Sequence, residues 1–384
     1  MRIVHICISG PYVDSWGYQE NLLPAYLQDS GTDNYVIAPI DNYPSYIKPE
    51  DIEKIRAKGS DYMYEGVRIL RIPTIRLSTS LLCTKGLEEE LGKIKPDAIF
   101  HHNFNCSSLV VAARYSKRHS IPLMVDNHAD EINMTGNRLW AFVYYKCLIK
   151  YVCRFYADVI YKAYGVTQSR CDFIRKYYGV PESTIDFLPI GADMKLAAQL
   201  PSAIEIRKEY GFNDKDRIIV SGGKMGKGKG THNLITAVGS LKSRFPDLKL
   251  VLFGKFEDEA TEVLAKNSSD VKVEGWCDRE KTLKLLKMAD VACWPVHHTT
   301  LVEDAISVKT PLILRKTGTT SHLIEGNGTW IENSDQESLE TAISNVLMNV
   351  GTAMIETACN AKAEELDYNT ISRKVISDIY GFGK

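Results

Sequence analysis

The chain has 384 residues, 44% hydrophobic and 25% charged, with a formal net charge of -1. That length exceeds what one hydrophobic core usually organises, so two domains are expected, and the composition excludes a disordered or fibrous chain. A near-neutral balance gives no global attraction for nucleic acid, so an anionic ligand must be met by a local cluster of Lys and Arg.

Strand-like apolar runs alternate with amphipathic segments almost throughout, the mark of βα units and of parallel sheets buried on both faces. In chain order the predicted strands are 3–9, 35–39, 67–72, 98–101, 122–126, 159–167 and 185–189, then 217–222, 249–254, 271–274, 291–294, 311–314 and 329–332. Helical patterning fills the gaps, as in Asn233 to Phe245, where Leu234, Ile235, Val238 and Leu241 share a face and Pro246 ends the run. Pro189, Gly191 and Pro201 punctuate the pattern where a second strand-helix series begins. The expected architecture is two doubly wound α/β domains facing across a cleft, with ligands at the C-terminal ends of the strands. Their limits are 1–192 and 193–366, with 367–384 as a final helix.

The nine cysteines are scattered, and no C-x-x-C pair occurs. They read as thiols of a reducing cytoplasm. Ile3 to Ile8 is too short for the apolar region of a signal peptide. Leu139 to Ile160 is broken by Lys146, Lys150, Arg154 and Asp158, which a membrane span does not tolerate. A cytoplasmic location is expected.

After the first strand, Ser9 to Asn21 contains Gly10 and Gly17 ahead of an amphipathic run. Glycine there lets backbone approach an anion at a helix start, although a tight strand-to-helix turn needs the same residues without a ligand. His101, His102 and Asn103 end another strand, and Val125-Asp126-Asn127-His128-Ala129-Asp130 ends the next. In the second half, Gly222-Gly223-Lys224-Met225-Gly226-Lys227-Gly228-Lys229-Gly230 follows a strand and precedes a helix. Three cations with interleaved glycines suit a phosphate group, the glycines freeing amides to face its oxygens. A solvated lysine-rich turn is the plainer reading.

Gly223-Lys224 with Lys229-Gly230 resembles the donor-phosphate loop of the GT-B glycosyltransferases of family 4, which reads Gly-Arg, four residues, Lys-Gly. Further matches follow in order: Phe187 to Asp193, Leu250 to Gly254, Val273 to Trp276, Ala289-Asp290-Val291 with Trp294-Pro295, and Asp367-Tyr368-Asn369 before the last helix. The resemblance implies a retaining, hexosyltransferase-type enzyme that uses a nucleotide diphosphate sugar, with a second domain for the donor and a first for the acceptor. In that family the last helix crosses back onto the first domain. Lys224 and Lys229 would stabilise the charge that develops on the departing diphosphate. Lysine in place of the family's arginine keeps the charge and gives up the bidentate fork.

The resemblance places His128 at the donor sugar, where an imidazole exchanges hydrogen bonds with hydroxyls; alternatively it orients its loop through Asp126 or Asp130. His101, His102, Asn103 and Asp130 are acceptor-side candidates. Gly17, Gly254, Gly275 and Trp276 are expected around the donor.

One departure stands out. The family carries two glutamates with seven residues between them after the Trp294-Pro295 position. Counted back from Thr310-Pro311, Asp304 takes the second, with Glu303 as its rival for the ribose hydroxyls; the first is missing, and His297, His298 and Thr299 stand in its place. Adjacent histidines point apart in extended chain and no third ligand is spaced nearby, so no metal is assigned there. The one D-x-D string, Asp214-Lys215-Asp216, reads as a polar turn, and no metal or other cofactor is expected.

Lys146, Lys150 and Arg154 share a helical face amid Trp140, Phe142, Tyr144, Tyr145, Tyr151, Phe155 and Tyr156. That suits peripheral contact with an anionic membrane, as at the inner face of a plasma membrane, and so a lipid-linked acceptor; a solvated face of a core helix is the alternative. A glycan acceptor in polysaccharide biosynthesis fits equally. Two competing readings are a non-catalytic sugar-nucleotide-binding partner subunit and a nucleotide-sugar 2-epimerase.

Overall fold

The computed structural model describes residues 1–10, 12–44, 47–76, 82–131 and 150–383. The chain divides into two compact units, Met1–Pro189 with Tyr368–Lys384, and Ile190–Asp367. The break falls just ahead of the 192/193 limit read from the sequence.

Among its described residues the first unit holds ten strands: β1 (Arg2–Ile6), β2 (Asp33–Pro39), β3 (Asp61–Tyr64), β4 (Val67–Ile72), β5 (Thr74–Arg76), β6 (Leu82–Thr84), β7 (Ala98–His102), β8 (Leu123–Asn127), β9 (Ile160–Gly165) and β10 (Ile185–Phe187). Eight form one sheet in the order β10-β9-β8-β7-β1-β2-β4-β3, parallel except that β3 runs antiparallel to β4. Strand order reverses direction between β1 and β7, so their C-terminal ends open a crevice where this architecture takes ligands. The final helix, Tyr368–Gly381, belongs to this unit. It lies on helix Gln19–Asp29, Tyr26 and Tyr368 meeting with ring centroids 5.3 Å apart. Tyr164 donates to Asp378 at 2.6 Å, and Lys374 pairs with Asp186 at 2.7 Å.

The second unit holds β11 (Arg217–Met225), β12 (Leu248–Phe256), β13 (Val271–Gly275), β14 (Val291–Trp294), β15 (Leu312–Arg315) and β16 (Gly328–Ile331), an all-parallel sheet in the order β13-β12-β11-β14-β15-β16. Ile218, Ile219, Val220, Leu250, Val251 and Leu252 are fully buried, which explains why these strands read as continuous apolar runs. Here the switch point lies between β11 and β14, and it brings the lysine-glycine segment and the histidine loop to one end of one sheet.

No helix among the described residues is long and apolar enough to cross a membrane. No described cysteine is disulfide-bonded. Of the basic aromatic stretch, residues up to Lys146 lie outside the described residues. Lys150, Arg154, Phe155 and Tyr156 lie on helix Lys150–Tyr156, with Phe155 70% exposed.

Candidate functional site

β11 is longer than the sequence suggested and runs through Lys224 to Met225, paired with β12 in the register Gly223↔Gly254 and Lys224↔Lys255. The strand ends in a single turn, Lys227–Lys229, and helix Thr231–Leu241 begins directly after it. Glycine is required where backbones close up: a Cβ on Gly254, at φ 111, would lie 2.1 Å from the Gly223 carbonyl oxygen. A Cβ on Gly230 would meet the Pro295 ring at 2.9 Å, so the histidine loop packs directly on the lysine turn.

Five amides between Gly226 and Thr231 are not free as the glycine pattern suggested. Gly226 N–H donates to the Thr231 hydroxyl at 3.2 Å and Lys227 N–H to Asp258 at 2.8 Å. The amides of Lys229, Gly230 and Thr231 bond back into the turn, to the carbonyls of Gly226, Lys227 and Gly226. These bonds shape the turn that carries the lysine side chains. Lys224 is 76% exposed, and its nearest carboxylate, Glu257, is 3.9 Å away.

Facing them across the switch point, the structure separates the two histidines. His297 lies near Lys229 and Arg315; burial first, then those two cations, lower its pKa, which favours the neutral imidazole. His298 turns inward and meets Glu303 at 2.8 Å, with both side chains almost fully buried. Glu303 is thus committed to bracing the loop, and its other oxygen has no partner among the described residues. The Thr299 carbonyl accepts from Val302 N–H at the start of helix Leu301–Ser307.

Asp304 sits in a carboxylate-guanidinium-carboxylate triad. Arg279 reaches Asp304 at 3.1 Å and Asp193 at 3.0 Å. Burial raises the Asp304 carboxyl to about 6, against the pull of Arg279. Asp193 also caps helix Met194–Gln199 through Leu196 N–H. Nearby, Gly275 ends β13 at φ 65 with open space where a side chain would stand, and Trp276 beside it is 69% exposed.

In the first unit, Gly17 lies in the loop just before helix Gln19–Asp29. His128 keeps 24% of its side chain exposed, and its Nε2 lies 3.3 Å from Asp126 Oδ2. Burial opposes protonation of His128, but the Asp126 charge raises its pKa. The acceptor-side candidates are mostly interior. His101 and His102 are fully buried; His101 Nε2 meets Ser108 at 2.8 Å, and burial holds its pKa near about 3. Asp130 is buried, with Arg170 3.7 Å away. Asn103, at φ 73, is tied by its amide to Asp126 at 2.9 Å.

Glu20, His102 and His128 each bring a donor atom within 4.8 Å of the others. Both nitrogens of His102 are already engaged, Nδ1 with Asp126 at 2.7 Å and Nε2 with His5 at 3.3 Å, so a cation there would have to break a buried hydrogen bond. The D-x-D string is a turn in which Asp216 accepts from Asn213 N–H at 2.7 Å. It precedes β11, at the opposite end of that strand from the lysines.

Sequence reasoning missed Arg279 and Arg315. Each was visible only as one more basic residue in a first helical turn or at a strand end, and no spacing rule marked either one.

Residues 202–362 match the family model described as glycosyl transferases group 1. No curated protein matches the chain. Among solved structures, a glycosyltransferase from Rickettsia africae superposes with a TM-score of 0.70 at 14% identity, covering 100% of this chain and 98% of that one. HepE from Anabaena, solved with UDP and glucose, gives 0.67 at 16% identity, covering 99% and 100%. Sucrose-phosphate synthase from Thermosynechococcus elongatus gives 0.65 at 15%, covering 99% and 98%. The chain thus has the GT-B fold of glycosyltransferases, and its residues 202–362 are similar to the glycosyl transferases group 1 family.

Proposed function

We propose that the protein transfers a hexosyl group from a nucleotide diphosphate sugar to a glycan or lipid-linked acceptor, with retention of configuration and without a metal ion. The observation that carries this reading is the lysine turn Lys227–Lys229 at the C-terminal end of β11, with His297 near Lys229, inside the matched segment. A diphosphate leaving group gains negative charge as the glycosidic C–O bond breaks, and fixed cations there favour the transition state over the ground state. HepE, of the same fold, was solved with UDP-glucose, which supports a UDP-sugar as the first donor to try.

In this reading Lys224 and Lys229 take the diphosphate, the Gly275–Trp276 turn the base, and Asp304 on its Arg279 brace the ribose. His128 meets the donor sugar. Metal independence is supported by the donor sets: the lysines supply the charge that a cation would, and the one acidic pair is a turn at the far strand end. No carboxylate in the motif loops stands out as a covalent nucleophile, which favours attack from the leaving-group face, the phosphate oxygen taking the acceptor's proton.

The test is nucleoside diphosphate release from a panel of UDP- and GDP-sugars with an acceptor extract, followed by NMR of the product anomer. Release with a retained linkage is expected. An inverted product overturns the retaining assignment, and nucleotide binding without release points to a non-catalytic partner subunit.

A further inference from the structure

Asn34 sets the direction of a buried hydrogen-bond line through the first unit. The Thr32 hydroxyl donates to the Leu27 carbonyl at 2.7 Å, so it accepts from Asn34 Nδ2, also at 2.7 Å. That leaves Asn34 Oδ1 facing His5 Nε2 at 3.3 Å. An amide oxygen only accepts, so the His5 proton is on Nε2 and its Nδ1 carries a lone pair. His102 Nε2 lies 3.3 Å from that lone pair and therefore needs a proton of its own. On the other side, His102 Nδ1 is 2.7 Å from Asp126 Oδ2, and a carboxylate again requires a donor. Both nitrogens of His102 carry protons. A neutral His102 would set two lone pairs against each other in a space closed to water, since His5, His102 and Asp126 are all fully buried.

From this line we infer that His102 is a buried imidazolium and that, together with Asp126, it is a positioning residue for His128. Asp126 Oδ2 is shared: it takes the His102 Nδ1 proton and lies 3.3 Å from His128 Nε2, while Oδ1 accepts from Asn103 N–H at 2.9 Å. The His102 charge keeps the carboxylate ionised. The Asp126 charge in turn attracts the His128 ring, whose Nε2 lies 3.3 Å away without a formed hydrogen bond to it. This rests on the reading above that His128 meets the donor sugar.

The surroundings agree. Burial alone would neutralise the pair. Instead the Asp126 charge holds His102 well above the usual imidazole range, and the two imidazoles hold Asp126 below the usual carboxylate range. Burial and the His102 charge press His5 the other way. The groups facing the array are Cys7 from the segment after β1, Glu20 from helix Gln19–Asp29, His101 from β7 and Arg170 from helix Gln168–Tyr177. Cys7 stays a thiol, since burial raises its pKa.

The test is ¹⁵N–¹H long-range NMR of the nine histidine rings in the full chain at pH 7.5, assigned with His102→Gln and His128→Gln. One ring, His102, is expected as imidazolium, with His5 as the Nε2–H tautomer. Asp126→Asn is expected to abolish the imidazolium signal and to lower kcat on the order of 10-fold with little change in donor KM. Asp126→Glu should restore part of both. Should His102→Gln fail to fold, loss of the imidazolium signal in Asp126→Asn and its return in Asp126→Glu make the assignment. A neutral His102 in the wild-type protein overturns the inference, as does Asp126→Asn with unchanged kcat and unchanged His128 ring shifts. If His102 is imidazolium but no nucleotide sugar binds, the positioning of a donor-facing His128 falls with the proposed function, and only the protonation state stands.

Discussion

The Trp294 indole N–H donates to the Gly222 carbonyl at 3.0 Å, tying the end of β14 to β11 directly beneath the lysine turn. The indole is 6% exposed, so this bond is made away from water. It fixes the separation of the two strand ends that form the switch-point crevice. Trp294→Phe is expected to cost about 1–3 kcal/mol by chemical denaturation, because it leaves a carbonyl oxygen without its donor. It should also weaken UDP binding in calorimetry, since the His297 loop follows directly on the strand.

Two glycine substitutions separate packing from charge. Gly254→Ala forces a Cβ into the Gly223 carbonyl oxygen at a φ of 111, and a loss on the order of 3 kcal/mol or a failure to fold is expected. Gly228→Ala meets nothing within 4 Å and should change stability by less than about 0.5 kcal/mol. A melt of the two variants beside the wild-type protein decides.

Much of this was legible in the sequence. All thirteen predicted strands are present because buried parallel strands read as apolar runs. The three that went unread are β3, β5 and β6. They are short, antiparallel and only half buried, so neither period nor hydrophobicity marks them. The lysine segment was placed ahead of its helix, but its first half, through Met225, is strand. What its amides do was not legible, because it depends on how the turn closes on Thr231 and on Asp258 arriving from beyond β12. His297 and His298 are indistinguishable as letters; only the fold sends one toward Lys229 and the other to Glu303.

The pH dependence of stability isolates Asp304. Its unfolded pKa is about 3.9, and the fold raises it to about 6. The folded state therefore binds more protons than the unfolded state between those values, and stability falls as pH rises through that window, by at most roughly 3 kcal/mol. Asp304→Asn removes this dependence. Urea midpoints at pH 4.5 and 7.5 should show the variant gaining on the wild-type protein at the higher pH. A constant difference between the two proteins would count against the raised value.

Chelation tests the charge assignment. With Lys224, Lys227 and Lys229 supplying the cations, EDTA at millimolar concentration should leave turnover within experimental error. Loss of turnover restored by a divalent ion would show that the lysines are not sufficient.

The central claim is that the lysine turn grips a nucleoside diphosphate. It is tested most directly by titrating UDP and GDP into the wild-type protein and into Lys224→Ala/Lys229→Ala by calorimetry. Removing two charge-assisted contacts, worth about 1.5–3 kcal/mol each, should weaken binding of one of these nucleotides by at least about 100-fold in a variant that melts normally. Equal affinity of the two proteins for the nucleotide, or no binding of either nucleotide to the wild-type protein, would contradict the account.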